Sequence, residues 1–399
     1  MSRSLSVYLD LVRFLTALLV FVVHANYQRF TGGLPVLHHL KDLGNDAVMV
    51  FFVLSGFVIA HVVATKERRV DVYAASRLAR LYSVVVPALV LTVLLDAAGA
   101  QIDPSLYTGR WYEFDQPLLR VAAALSFTNE LWFSYTRPFS NGPFWSLGYE
   151  AWYYVLFAAA HFLRGRTRLV AVSAVCLVIG PKILLLLPVW WMGVWAYRRV
   201  HEVRIGVLHA LVLFVGSFGA YLLFRLAGGP DRLLDLTGEW LGTEVLHDQL
   251  SWSRRFLASY VIGACVAIHF VGAAALAQHL KRVPRVLERP IRHAAGFTFS
   301  LYLLHYPLLQ FFSALVPAAG MESHRAAFVA LGSLAVVYAV GSAIERRKEP
   351  LRAALLAAFA AIRQPAQAFR CAAFAFSMAR QPRPCVGFVL GNARLQGAE

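Results

Sequence analysis

Residues 9–24 read LDLVRFLTALLVFVVH, an apolar run whose ionisable side chains are Asp10, Arg13 and His24. A helix over this run places Arg13 and His24 on one face, separated by about 16 Å along the axis. Asp10 precedes Arg13 by three residues and can pair with it. Ionisable residues inside a spanning helix indicate a functional site. In the alternative interpretation, Arg13 reaches one headgroup layer and His24 ends the helix at the opposite interface.

The rest of the chain shares this apolar character. Of its 399 residues, 59% are hydrophobic and 15% are charged, whereas a soluble domain carries about 25% charged residues. The sequence therefore predicts an all-α, polytopic integral membrane bundle of about ten transmembrane helices. Asp10 and Arg13 predict that the first helix is retained and is not a cleaved signal peptide. We expect spans at 7–27, 44–65, 80–100, 144–163, 168–181, 183–199, 205–226, 254–278, 294–316 and 325–345.

The formal net charge of +16 could indicate nucleic-acid binding, but the placement of the basic residues favours a membrane. The connections at 101–143 and 227–252 hold more acidic than basic residues. Under the positive-inside rule, the basic clusters are cytoplasmic, and both termini lie in the cytoplasm. Membrane lipids, and no nucleic acid, are the predicted partners. The basic clusters lie at 66–80, 164–168, 198–204, 281–292 and 346–352.

Two further segments have a distinct composition. The 101–143 connection is too long for a simple turn, and Pro117 to Thr128 within it is typical of a short amphipathic or re-entrant helix. We interpret this connection as a candidate acceptor-binding lid. Residues 353–399 are basic and rich in Ala, which predicts a cytoplasmic tail without a separate catalytic domain. The predicted division is thus a membrane domain at 1–352 and a tail at 353–399.

The second span and the chain that follows it carry polar candidates. Ser55 and Gly56 lie mid-span, where small residues permit close helix packing. Arg77 and Arg80 are three positions apart and share a helix face at the cytoplasmic surface. Such a pair can bind the phosphates of an anionic cofactor. The alternative for this pair is ordinary positive-inside charge.

The fourth and ninth spans each contain an ionisable residue among aromatic ones. Glu150 follows Trp145 in FWSLGYEAWYY, and a carboxylate in such surroundings needs a partner or suits acid–base chemistry. His305 shares a helix face with Tyr302 in FTFSLYLLHYPLL; a histidine held by a neighbouring helix is the structural alternative. The histidines and carboxylates lack metal-ligand spacing within a helix, so we predict no metal. The four cysteines are scattered and predict no disulfide framework.

Taken in order, these segments resemble acyltransferase family 3, bacterial membrane enzymes that O-acylate surface and secreted carbohydrates. The resemblance runs from Tyr8 to about Arg352. The chain departs from the family at Thr298-Phe299, where Ser-Tyr is common, and at 345–350, where ERRKEP replaces a shorter Glu-x-Pro. The segments that carry the resemblance read LDLVRFLTALLVFVVH, FFVLSGFVI, RLARLYSVVVP, FWSLGYE and FTFSLYLLHYPL.

The resemblance implies an O-acyltransferase in the bacterial cytoplasmic (inner) membrane. Its donor would be cytoplasmic acyl-CoA, commonly acetyl-CoA. Its acceptor would be a carbohydrate or lipid-linked sugar on the other side, such as exopolysaccharide or lipopolysaccharide. Polysaccharide-assembly proteins are further candidate partners. The enzyme would need no metal.

Residue roles follow from the same resemblance. Arg77 and Arg80 would bind the phosphates of CoA, and His24 would act as general base or as transient acyl carrier. Glu150 and His305 would orient His24 or the acceptor. The predicted catalytic group is His24, Glu150, Arg13, Asp10 and His305, in which Arg13 either pairs with Asp10 or stabilises oxyanion charge. The predicted substrate-binding residues are Tyr302, Ser55 and Trp145.

Two other classes of protein remain open. A transporter or flippase for a lipid-linked sugar also places charged groups and broken helices in the membrane. The chain lacks corresponding broken helices in two halves, which disfavours that class. An inactive polysaccharide-assembly scaffold would not bind CoA at all.

Overall fold

A computed structural model describes residues 1–33, 35–109, 112, 114–202, 204–279, 283–316 and 322–379. Within these residues the chain forms helices and connections and no β-strand, which confirms the all-α prediction. Lys281 and Arg282 of a predicted basic cluster, and tail residues 380–399, lie outside the described part. The helices are α1 (Arg3–Ala25), α2 (Gln28–Thr31), α3 (Leu43–Thr65), α4 (Val70–Ile102), α5 (Pro117–Leu125), α6 (Trp145–Phe162), α7 (Gly165–Glu202), α8 (Val207–Leu226), α9 (Gly229–Leu241), α10 (Phe256–His279), α11 (Arg285–Gly296), α12 (Thr298–Ala314), α13 (Glu322–Glu345) and α14 (Lys348–Ala379).

Seven described stretches are long and apolar enough to cross a membrane. Two more predicted spans form α6 and α12, which are 18 and 17 residues long. The predicted fifth and sixth spans are the two arms of α7. Apolar side chains on α8 are strongly exposed, as a lipid-facing surface requires; Leu223 is 70% exposed and Leu226 84%. The seven stretches are α1, α3, α4, Gly165–Val200, α8, α10 and His324–Arg363.

The helix α7 is broken at Gly180-Pro181. Gly180 has φ 75° and ψ 178°, a conformation that side chains with a Cβ rarely adopt, and Pro181 has no N–H to donate. The carbonyls near the break are bonded from outside the helix. The backbone N–H and the indole N–H of Trp132 donate to the carbonyls of Ile179 and Leu177, each at 3.0 Å. A broken helix is stable in apolar surroundings because these groups are satisfied.

A buried ion pair fixes the loop before α6 against this break. Lys182 Nζ lies 2.6 Å from Glu130 Oε2, and the two side chains are 0% and 1% exposed. The ammonium also donates to the carbonyl of Ser134. Because a buried charge without a partner is very costly, this pair anchors the loop to the middle of α7.

The centre of the bundle is α3, which packs against α1, α7 and α10. A Cβ on Gly56 would lie 2.0 Å from the carbonyl oxygen of Trp190 in α7, and a Cβ on Gly193 of α7 would lie 1.9 Å from that of Val53. Glycine at both positions therefore lets the two backbones touch. The close packing predicted at Ser55-Gly56 is confirmed.

The chain divides into compact units after Arg352. The unit Met1–Arg352 contains every candidate residue and both cavities described below.

Candidate active site

Two cavities within the bundle gather most of the predicted residues. The arginine cavity, of about 90 Å³, is bounded by α1, α3, α4, α6 and α12. The histidine cavity, of about 220 Å³, is bounded by α1, α3, α12, the start of α6 and the connections before α3, α6 and α10. Polar and aromatic side chains that line the arginine cavity are Arg13, Ser55, Arg77, Arg80, Ser146, Glu150, Tyr154, Thr298, Phe299 and Tyr302. Those that line the histidine cavity include His24, Tyr27, Arg137, Trp145, Trp252, Arg254, Arg255, Tyr302 and Tyr306.

Arginines from two helices meet in the arginine cavity. Arg77 and Arg80 come from one face of α4, as predicted, and Arg13 joins them from α1. Arg77 Nη2 is already paired with Glu67 Oε1 at 2.8 Å. Arg80 lies over the ring of Phe299, 5.4 Å from its centroid, and has no carboxylate within salt-bridge distance among the described residues. Phe299, a departure from the family motif, thus forms part of the wall under Arg80.

Glu150 belongs to this cavity and is hydrogen-bonded there. Its Oε1 accepts from the hydroxyl of Ser55 at 2.6 Å and from that of Tyr154 at 2.5 Å. Glu150 was expected to orient His24 or the acceptor, and these two bonds hold it against Ser55 and Tyr154 because α6 presents it to α3. The predicted substrate residue Ser55 is therefore the direct partner of Glu150, and it also accepts from the indole of Trp190 at 3.2 Å.

Asp10 lines neither cavity. Its Oδ1 lies 3.4 Å from Arg13 Nη1, and its Oδ2 lies 3.1 Å from Arg292 Nη1. Arg292 and Arg3 also pair with Glu288, so the start of α1 is tied to α11 by a network of charges. The sequence prediction that Asp10 pairs with Arg13 is confirmed, but the geometry makes Asp10 a structural tie between helices.

His24 and His305 form a hydrogen-bonded pair across α1 and α12. The distance from His24 Nδ1 to His305 Nε2 is 2.8 Å, and the rings stack at 5.0 Å between centroids. His305 is fully buried, and its Nδ1 lies 2.9 Å from the carbonyl oxygen of Leu301. The structure thus places His305 against His24. Of the two predicted roles for His305, orienting His24 or orienting the acceptor, this contact fits the first.

The carbonyl of Leu301 sets the protonation of this pair. A carbonyl oxygen only accepts, so His305 Nδ1 carries a proton, and the Nε2 of the neutral ring is then an acceptor. His24 Nδ1 must donate to that acceptor. The remaining nitrogen, Nε2 of His24, therefore bears a lone pair, as a general base requires, and His24 lines the histidine cavity.

Residues near His24 that the sequence did not single out complete its surroundings. The rings of Tyr27 and Tyr306 each lie edge-on to His24, with centroids 5.2 Å away. Arg29 Nη2 donates to the hydroxyl of Tyr306 at 2.6 Å. For Tyr306, the signal that the sequence offered was its position directly after His305.

The two acidic connections contribute Arg137 and Trp252 to the lining of the histidine cavity. Trp145, predicted from the sequence, stacks on Trp252 with ring centroids 5.0 Å apart and an interplanar angle of 5°. Arg137 comes from the 101–143 connection, within which the predicted short helix is α5. Arg137 and Trp252 were not found by sequence reasoning because loops lack the periodicity that marks a functional face.

Tyr302 and Val48 line both cavities and therefore form their common wall. The Tyr302 hydroxyl and the Ser146 hydroxyl are 2.7 Å apart, and the Tyr302 hydroxyl also donates to the carbonyl of Pro143 at 3.1 Å. The ring lies 6.2 Å from that of His305. Tyr302 is thus the side chain at the junction between the arginines and the histidine pair.

Comparison with known proteins places the chain in a family. A family model described as an acyltransferase domain, Acyl_transf_3, matches residues 6–344. Neither curated proteins nor solved structures include a match to the chain. The family match covers both cavities and runs from α1 through almost all of α13. With its membrane-spanning helices, this multi-pass membrane protein is a member of acyltransferase family 3.

Proposed function

We propose that the protein is a transmembrane O-acyltransferase of the bacterial cytoplasmic membrane. It transfers an acyl group, in the simplest case acetyl, from cytoplasmic acyl-CoA to a hydroxyl of an extracytoplasmic carbohydrate such as exopolysaccharide or lipopolysaccharide. The observation that carries this proposal is the pair of cavities with a common wall at Tyr302 and Val48. The arginine cavity offers the guanidinium groups of Arg13, Arg77 and Arg80, and the histidine cavity offers the imidazole of His24.

The proposed topology has ten crossings with both termini in the cytoplasm. Charge supports this orientation, because two of the connections that bound the histidine cavity are the acidic ones at 101–143 and 227–252. Arg77 and Arg80, near the start of α4, belong to the basic cluster at 66–80, which lies on the cytoplasmic side in this topology. The arginine cavity then faces the cytoplasm, where acyl-CoA is found.

The arginine cavity suits the phosphates of CoA. Three arginines and one glutamate, Glu150, line it. Guanidinium groups bind phosphate oxygens through paired, charge-assisted hydrogen bonds. Because Glu67 already holds Arg77, Arg80 is the stronger candidate ligand. The apolar wall between Val48 and Phe299 gives the uncharged thioester arm a path toward Tyr302.

His24 would activate the acceptor. Its Nε2 takes the proton of the sugar hydroxyl while the hydroxyl oxygen bonds to the acyl carbon and the carbon–sulfur bond breaks. The imidazolium then gives that proton to the departing CoA thiolate, so the reaction is balanced without another reactant. His305 holds the reactive tautomer. A transient acyl group on His24 uses the same nitrogen.

The decisive assay supplies acetyl-CoA, labelled in the acetyl group, to the purified full-length chain in lipid nanodiscs with surface polysaccharide as acceptor. Label in the polysaccharide and free CoA in equal amounts are expected. Movement of a lipid-linked sugar in vesicles without CoA consumption would instead support a transporter or flippase. Failure to bind acetyl-CoA would support a scaffold.

A further inference from the structure

The lining of the histidine cavity carries an excess of positive charge. Four cationic residues face one carboxylate, Asp42. This excess lies on the proposed acceptor side, whereas a phosphate-bearing donor would enter from the other cavity. The donor therefore does not account for it. The four cations are Lys41, Arg137, Arg254 and Arg255.

The charge of Arg254 is less compensated than that of its neighbour Arg255. Arg255 pairs with Asp231 at 2.9 Å, but the Asp231 side chain is 68% exposed and the interaction is screened by water. Arg254 makes no side-chain hydrogen bond or ion pair within the part of the chain that the structure describes. Burial and the adjacent charge of Arg255 lower the pKa of Arg254, so an anion beside it would be stabilised.

Trp252 adds an unused donor to the same wall. Its indole N–H is buried and has no hydrogen-bond partner among the described residues. A buried donor without a partner is unfavourable, and a ligand oxygen that accepts from it would remove that cost. The ring of Trp252 stacks on that of Trp145, and an aromatic ring fixed in this way suits the C–H face of a sugar.

We propose that the acceptor is an anionic glycan, whose oxyanion binds Arg254 and Arg255 while its sugar ring contacts Trp252. This inference rests on the proposed function and names the substrate class of its acceptor side. A carboxylate and a phosphate both satisfy the requirement, because each accepts several hydrogen bonds from arginine and donates none when ionised. The acidic sugar then brings a neighbouring hydroxyl to Nε2 of His24.

Binding to the wild-type protein tests the proposal without turnover. The probes are tetragalacturonate for the carboxylate, maltose 1-phosphate for the phosphate and maltotetraose as the neutral control, each titrated by calorimetry into the full chain in nanodiscs. At least one anionic probe is expected to bind about tenfold more tightly than maltotetraose, with the difference reduced at high salt. Equal affinities, or no binding of either anion, would overturn the proposal.

Two arginine variants test whether Arg254 is the residue that binds the anionic group. Arg254→Gln should lose about tenfold in affinity for the preferred anion and leave maltotetraose binding unchanged. The matched control is Arg232→Gln, an exposed arginine of α9 that does not line the cavity, and it should bind as the wild type does. An equal loss in both variants, or none in Arg254→Gln, contradicts the assignment.

The assay keeps this inference distinct from the proposed function. A chain that binds the anionic probe through Arg254 but transfers no acetyl group would disprove the acyltransferase assignment of the site and leave the anion site standing. If the wild type acetylates neutral and anionic glycans equally well, and Arg254→Gln does the same, the function is retained and the anionic acceptor is refuted.

Discussion

The arginine cavity and the histidine cavity share Tyr302 and Val48 but offer a ligand different chemistry. The first is smaller, and its charged groups come from helices α1, α4 and α6. The second is larger, and much of its lining comes from connections between helices. Helix-borne groups suit a donor that is the same in every cycle, whereas loop-borne groups can vary with the acceptor. The difference assigns donor binding to one side and acceptor choice with proton transfer to the other.

The largest effect should come from the base. His24→Ala removes Nε2 from the histidine cavity, and acyl transfer should fall by about 10³-fold, within the range of general-base contributions. Acetyl-CoA should still bind, because His24 does not line the arginine cavity. Initial rates with labelled acetyl-CoA measure this. His209→Ala, an exposed histidine on α8, is the control and should be fully active. Normal transfer by His24→Ala would remove the chemical role of this cavity.

His305 should contribute less, because it acts through His24. In His305→Leu the Nδ1–H of His24 loses its acceptor, and the rate should fall by about 10- to 100-fold, as for loss of a buried hydrogen bond. His305→Gln retains an acceptor oxygen and should recover part of the rate. Rates of the two variants at equal protein level are compared. If Leu and Gln give the same rate, His305 fills space and does not set the tautomer.

On the donor side, Arg80→Gln should raise the KM for acetyl-CoA by about tenfold through loss of a charged hydrogen bond to phosphate. The KM for the acceptor should not change. S-acetylpantetheine, which lacks the nucleotide phosphates, should show no difference between variant and wild type. Arg166→Gln, an exposed arginine in α7, serves as the control. A change in acceptor KM instead of donor KM would reverse the roles of the two cavities.

The smallest effect concerns the common wall. Tyr302→Ala removes the ring between the cavities, and water should then reach the thioester more easily. The rate of CoA release in the absence of acceptor should rise several-fold. A thiol reagent that reacts with free CoA measures this rate. Tyr302→Phe keeps the ring, loses only the hydroxyl contacts with Ser146 and Pro143, and should release CoA at the wild-type rate. Equal release by both variants would mean that the ring does not separate the cavities.

Helix positions could be read from the sequence because apolar periodicity is local. A helix lies in each of the ten predicted segments. The boundary between the predicted spans 168–181 and 183–199 coincides with the break in α7 at Gly180-Pro181. The pairing of Arg77 and Arg80 on one face follows from their spacing alone. These features need no knowledge of which helices are neighbours.

The partners of polar residues depended on helix packing, which the sequence does not encode locally. Glu150 was expected to orient His24 or the acceptor, and its partner Ser55 on α3 was not predicted. Lys182 falls between the predicted spans 168–181 and 183–199, yet it is buried against Glu130 beside the break in α7. Asp10 binds Arg292, which is 282 positions away in the chain.

The central claim is that donor binding and proton transfer belong to different cavities. Calorimetric titration of acetyl-CoA into Arg80→Gln and His24→Ala tests it most directly. We predict about tenfold weaker binding for Arg80→Gln and wild-type affinity for His24→Ala. Wild-type affinity for Arg80→Gln together with a loss for His24→Ala would contradict the claim.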